Sequence, residues 1–144
     1  MINFQTQDIN FKIKNKTILK QWISDVISKK KRNKGDITFV FCSDNFLLNI
    51  NKQYLNHDTF TDIITFDYSK ENIDQKISGD VFISIDRVKE NAVTYSKSFE
   101  NELHRVIIHG TLHLLGYTDK TKIAKEQMTK QENNCLQMLK KMAL

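Results

Sequence analysis

Residues 98 to 116, SFENELHRVIIHGTLHLLG, restrict the fold of this chain more than any other segment. Ser98 is placed to cap a helix, Glu100 and Glu102 put negative charge in its first turn, and Gly116 stands where a helix commonly ends in a left-handed residue. Between those ends, apolar residues fall on almost every side of the helical wheel, so the helix must lie inside the molecule, surrounded by other elements. A chain of 144 residues can wrap one core around such a helix but is too short for two ordinary domains, so residues 1–144 are expected to form a single domain.

The remaining elements follow from apolar periodicity. Residues 2 to 14 read as a strand or hairpin. A helix opening at Thr17 carries the stripe Ile18, Leu19, Trp22, Ile23, Val26 and Ile27, and it ends in the basic run 29–34 (KKKRNK), whose cations suit a helix C-terminus and, as a second reading, RNA. Residues 36–42 (DITFVFC) form a strand, and Ser43 or Asp44 caps a helix that buries Phe46, Leu47, Ile50 and Tyr54 and ends near Asn56. Strands are expected at 62–68 and 79–85, joined by a polar loop, and Asp86 is expected to cap a short helix to about Lys97. A terminal helix over 121–144 is predicted to bury Met128, Gln131, Cys135, Met138 and Met142, with Leu139 beside them. The order β, α, β, α, β, β, α, α, α indicates an α+β fold, with a small mixed β-sheet covered by helices and the histidine-bearing helix at its centre.

Composition removes several function classes. The longest apolar run, 37–42, cannot span a bilayer, and the first residues lack the basic and apolar regions of a signal peptide, so no membrane association and a cytoplasmic location are expected. Cys42 and Cys135 lie on apolar patterns and are expected to be reduced core residues. A net charge of +5, contributed mainly by lysines because only Arg32, Arg87 and Arg105 are arginines, suits diffuse attraction to a polyanion and equally suits an ordinary solvated surface.

The chemistry concentrates at the end of the central helix. His109 and His113 are four residues apart, which sets their Cβ atoms about 5–6 Å apart on one face. Gly116 can turn the chain back so that Asp119 offers a carboxylate oxygen to the same point. Two nitrogens and one oxygen leave a fourth position open, the arrangement of a catalytic zinc and not of a closed structural one. Two histidines bonded to carbonyls in a core would also explain the pair alone. The glycine and the acid at their offsets argue for the metal, because a buried helix offers no packing reason for Gly110. The same glycine occupies the position where HExxH peptidases carry their catalytic glutamate, which weakens a peptidase reading.

The motif HGTLHLLGY resembles the signature of the YbeY family of endoribonucleases. The region from Leu48 to Phe66 is similar to the family's LNxxYRxxDxPT[DN]VLSF, and Gly79 to Ile83 to its GDI[VI]I strand, so the likeness covers roughly residues 36 to 120. The resemblance implies a zinc-dependent, single-strand-specific endoribonuclease acting on ribosomal RNA, in 16S 3′-end maturation and ribosome quality control. Its partners would be single-stranded RNA, ribosomal RNA above all, and the ribosome or ribosomal proteins, and not DNA.

Two departures stand out. The family usually ends its motif Gly-Tyr-Asp-His, and Asp119 occupies the place of that histidine. Asp119 then acts as the third ligand or as a partner of a ligating imidazole, and as a ligand its charge weakens the ion's Lewis acidity. The family's arginine after Tyr54 is replaced by Leu55, which cannot stabilise a phosphorane. Arg105, one turn before His109, is a candidate substitute, with an ion pair to Glu100 or Glu102 as its other reading, and Asp62 is either a substrate-orienting or a turn-capping residue. His57 and His104 are assigned to neither role. Loss of the arginine leaves a non-catalytic, zinc-containing ribosome assembly factor as the rival reading. Where the family writes proline, this chain writes Phe60, Asp67 and Ile85, so the first turn is expected to be held by side chains of Asp58 and Thr61.

Overall fold

The computed structural model describes residues 1–71 and 75–142. Residues 72–74 of the expected polar loop and 143–144 of the expected terminal helix lie outside them. The elements run β1 (Ile2–Thr6), α1 (Lys16–Lys29), β2 (Lys34–Cys42), α2 (Asp44–Leu55), β3 (Ile63–Asp67), a 3-10 turn (Ser69–Glu71), β4 (Ile77–Ser84), α3 (Ile85–Thr94), α4 (Phe99–Leu114) and α5 (Lys122–Lys140). This is the expected α+β order.

The four strands make one mixed sheet in the order β1-β2-β4-β3. β1 and β4 both run parallel to β2, and β3 pairs antiparallel with β4 at the edge. Only the first half of residues 2–14 is extended; no hairpin forms, because β1 finds its partner in β2 and leaves Phe11 and Ile13 to pack on the core instead. Alternation along the strands separates two cores. Phe39, Phe41, Val81 and Ile83 point to the side covered by α1, α4 and α5, whereas Ile64, Phe66 and Phe82 meet Leu47 and Ile50 of α2 on the other. Fully buried Trp22 anchors α1 to α5 by donating its indole N–H to the Cys135 carbonyl at 2.8 Å.

Several local expectations change. Tyr54 is 63% exposed, and Asn51 takes its place inside. Asn51 points inward because its amide donates to the Thr59 carbonyl at 2.8 Å, holding the proline-less turn together with Thr61, whose hydroxyl approaches the Ile63 carbonyl at 3.4 Å. Asp58 instead pairs with Lys52. Ser43 caps α2, as one of the two expected residues, but the cap of α3 is Ser84 and not Asp86, whose carboxylate accepts the Asp44 N–H. On α5 the buried residues are Met128, Glu132, Cys135 and Leu139, a stripe rotated by one residue from the predicted one, and Gln131 lies half-buried at its flank. Both cysteines are buried free thiols, with desolvation pushing Cys42 up to about 12 and Cys135 to about 11.

Gly110 has a packing reason after all. A Cβ there would stand 2.7 Å from Val81 Cγ1 and 3.0 Å from Ile63 Cδ1, so α4 crosses the sheet too closely for any side chain. That close approach packs α4 directly on β3 and β4.

Candidate metal centre

Helix α4 is capped by Ser98, whose hydroxyl accepts the Asn101 N–H, and it stops at Leu115 with Gly116 following at φ +102°. Nothing lies within 4 Å of a Cβ at Gly116, so glycine is needed there for its backbone conformation and not for space. The reversal has two effects. It brings Asp119 back over the helix, and it turns the Tyr117 carbonyl onto His113 Nδ1 at 3.0 Å.

The two imidazoles then face each other. His109 Nε2 and His113 Nε2 are 2.9 Å apart, and Asp119 Oδ2 lies 3.3 Å from the first and 3.7 Å from the second. Three donor atoms around an ion with bonds of about 2.0–2.1 Å at tetrahedral angles would be about 3.3–3.4 Å apart, so the observed triangle has the right size. The other ring nitrogens are already engaged. His109 Nδ1 meets Glu132 Oε2 at 2.5 Å, and His113 Nδ1 meets the Tyr117 carbonyl. Each acceptor draws the proton to Nδ1 and leaves the Nε2 lone pair facing the shared point. The donor set therefore fits a metal ion, and the three residues form a group whose ligand atoms all lie within 4.8 Å of one another.

Glu132 has no counterpart in the sequence reading. It is 7% exposed, and it reaches His109 from α5, 23 residues away. Its second oxygen accepts a hydrogen bond from Arg105 at 2.9 Å, while another guanidinium nitrogen donates to Asn133 Oδ1 at 2.8 Å. Arg105 is thus tied to Glu132 and Asn133; its charge reaches Glu102 only from a distance, partly offsetting the effect of burial there, and Glu100 lies 3.6 Å from His104 instead. The signal that reveals Glu132 is its place between Met128 and Cys135, where a carboxylate on an apolar stripe needs a partner.

A cleft of about 490 Å³ opens over the centre, lined by Asp62, Glu102, Arg105, His109, His113 and Asp119 among others. Burial raises the Asp62 carboxyl above its usual range, although nearby His109 and its own backbone counteract, and burial raises Glu102 as well. Burial also pushes His109 down, but the hydrogen bond and charge of Glu132, with Asp119 and Asp62, outweigh it and leave the imidazole above its ordinary value. His113 is lowered by burial and by His109. Four carboxylates against one engaged arginine make this cleft poor at holding a phosphate without a cation. Leu55 and His57 line an adjoining cleft, and His104 is buried at the opposite end of α4, against Trp22.

A family model described as Endoribonuclease YbeY matches residues 1–140. The Endoribonuclease YbeY of Flavobacterium psychrophilum is 46% identical over 138 residues, covering 96% of each chain. That of Amoebophilus asiaticus is 48% identical over 132 residues, covering 92% of this chain and 88% of its own. The solution structure of TM1509 from Thermotoga maritima superposes with a TM-score of 0.64 at 25% identity, covering 99% of this chain and 94% of that one.

Proposed function

This chain belongs to the endoribonuclease YbeY family and is a hydrolase of RNA phosphodiester bonds, and on that premise we propose that it is a zinc-dependent enzyme cutting single-stranded ribosomal RNA in the cytoplasm, in 16S 3′-end maturation and ribosome quality control. The observation that carries the metal dependence is the pair of Nε2 atoms turned toward one another and toward Asp119, with both Nδ1 atoms held elsewhere. His109, His113 and Asp119 would hold the ion. Zinc at that position supplies Lewis acidity and the positive charge that the acidic cleft otherwise lacks.

The remaining residues have separate tasks. Glu132 and the Tyr117 carbonyl orient the two imidazoles, and Arg105 neutralises Glu132. Asp62 lines the same cleft with a carboxyl held above its usual range by burial, which suits it to take at its carboxylate the proton that the attacking hydroxyl loses and to pass it to the leaving oxygen. Among the described residues lining the cleft beside Leu55, no lysine or arginine takes the place of the family arginine.

Cleavage of an unstructured RNA by the metal-loaded protein and by His113→Ala tests the proposal. Loss of cleavage together with loss of zinc by elemental analysis is expected. Equal cleavage by both would sink the assignment of the site, and full zinc retention by Asp119→Ala would move that residue from ligand to partner.

A further inference from the structure

We propose that the free edge of β3 is the track on which the RNA strand lies, its bases hydrogen-bonding the outward backbone groups around Thr65; the proposal rests on the endoribonuclease reading of the neighbouring site. Among the described residues β3 is an edge strand, paired with β4 alone. The Tyr68 N–H bonds the Ser78 carbonyl at 2.9 Å and the Ser84 N–H bonds the Asp62 carbonyl at 3.0 Å, and both pairs keep the register of Ile64 with Phe82 and Phe66 with Asp80. Hydrogen-bonded pairs alternate in an antiparallel ladder, so even-numbered residues face β4 and the N–H and C=O of Ile63, Thr65 and Asp67 face away.

Those three residues line a cleft of about 530 Å³ that also includes His57, Thr59 and His113. The cleft shares Thr61, Ile63 and His113 with the one over the metal centre, so a strand lying on the edge passes directly to the two imidazoles. Its chemistry is that of bases and not of phosphates. Among the described residues no lysine or arginine lines it, and the one acid among them, Asp67, already accepts the Ser69 N–H. What remains is the outward backbone donors and acceptors, of which the Ile63 carbonyl already accepts the Thr61 hydroxyl, with the hydroxyls of Thr59 and Thr65 and the imidazole of His57, which match the exposed Watson–Crick edges of an unpaired strand and not those of a duplex, which are already paired. An extended peptide can pair with an edge in the same way, but the edge leads to the phosphodiester-cleaving centre, and RNA is the polymer that must be delivered there.

The substitution Thr65→Pro separates these cases, because it deletes an outward N–H while leaving every β3–β4 bond intact. With the zinc-loaded protein and an unstructured RNA, KM is expected to rise roughly 2- to 10-fold, the loss of one hydrogen bond, with kcat and zinc content unchanged. In parallel, a non-cleavable 2′-O-methyl RNA titrated into the unsubstituted protein should shift the amide resonances of Ile63, Thr65 and Asp67 more than those of Ile64 and Phe66. An unchanged KM in a folded, zinc-loaded Thr65→Pro protein overturns the track, as do amide shifts confined to other surfaces. Should the variant lose its zinc, the titration alone decides. Shifts at these amides produced by a strand-forming peptide and not by RNA would also overturn it, in favour of a protein partner. Failure of the unsubstituted protein to cut RNA would count against the parent reading, whereas cleavage with unchanged KM would count against the track alone.

Discussion

His104 and His109 lie five residues apart on α4, both largely removed from water, and their surroundings treat the imidazole in opposite ways. His104 packs edge-on to Trp22 with ring centroids 6.2 Å apart, its Nε2 is buried without a hydrogen-bond partner, and Glu100 stays 3.6 Å away. Burial lowers its pKa, with Glu100 only partly opposing. His109 suffers the same desolvation but touches Glu132 and faces His113 and Asp119. Burial alone therefore makes a neutral core histidine; a carboxylate delivered from a second helix and a chain reversal after the first make a candidate metal ligand.

The strongest way to break this comparison is to remove the candidate ligand itself. His109→Ala should abolish tight zinc binding and RNA cleavage together, measured by elemental analysis and by cleavage of an unstructured RNA, whereas His104→Gln should leave zinc content unchanged; equal zinc loss from both would erase the distinction. Removing only the distant carboxylate should have a smaller effect. Glu132→Ala is expected to weaken zinc roughly 10- to 100-fold in a chelator competition, because the imidazole loses the acceptor that orients it. Unaltered affinity would show that helix geometry alone holds the ring.

Gly110→Ala probes the opposite face of the same turn. Its methyl would press on Val81 and Ile63, at a cost of about 1–3 kcal/mol in denaturant unfolding, since the sheet behind it has no space to give. An unchanged midpoint would remove the steric account of that glycine. The smallest effect belongs to His104. Its folded-state pKa is lowered below the ordinary 6.5, so the unfolded chain takes up its proton first as pH falls; the stability it contributes is complete above about pH 6.5 and declines as pH falls toward the folded value. The metal-free protein should lose stability over that window, and His104→Gln should lose less. Parallel curves for the two would mean that His104 is not buried as a neutral ring.

The site was legible in sequence wherever its residues are local. His109, His113, Gly116 and Asp119 fall within eleven residues, and helical spacing plus one glycine is enough to bring them together. Glu132 was not, because hydrophobic patterning scores a carboxylate as a surface residue, and the predicted stripe of α5 accordingly passed through Gln131. Arg105 looked available for substrate for the same reason: its partners come from α5 and not from its own helix. In the fold, element order followed from periodicity, whereas the packing role of Gly110 required knowing that α4 crosses β4 and β3, a contact between distant segments. Tyr54 was misplaced because a polar residue, Asn51, has a backbone carbonyl to satisfy inside, and that demand is invisible to an apolar count.

The left-handed turn at Gly116 also bears on the order in which the site matures. The loop it closes is so short that little chain entropy opposes the meeting of His109, His113 and Asp119, and helix α4 with its reversal needs no distant strand to present them. Glu132 joins only when α5 docks. Under the proposed metal dependence, a nascent chain would catch an ion loosely and early, and tighten its hold only after the last helix has closed over the core, so that the strength of the grip reports completion of the fold.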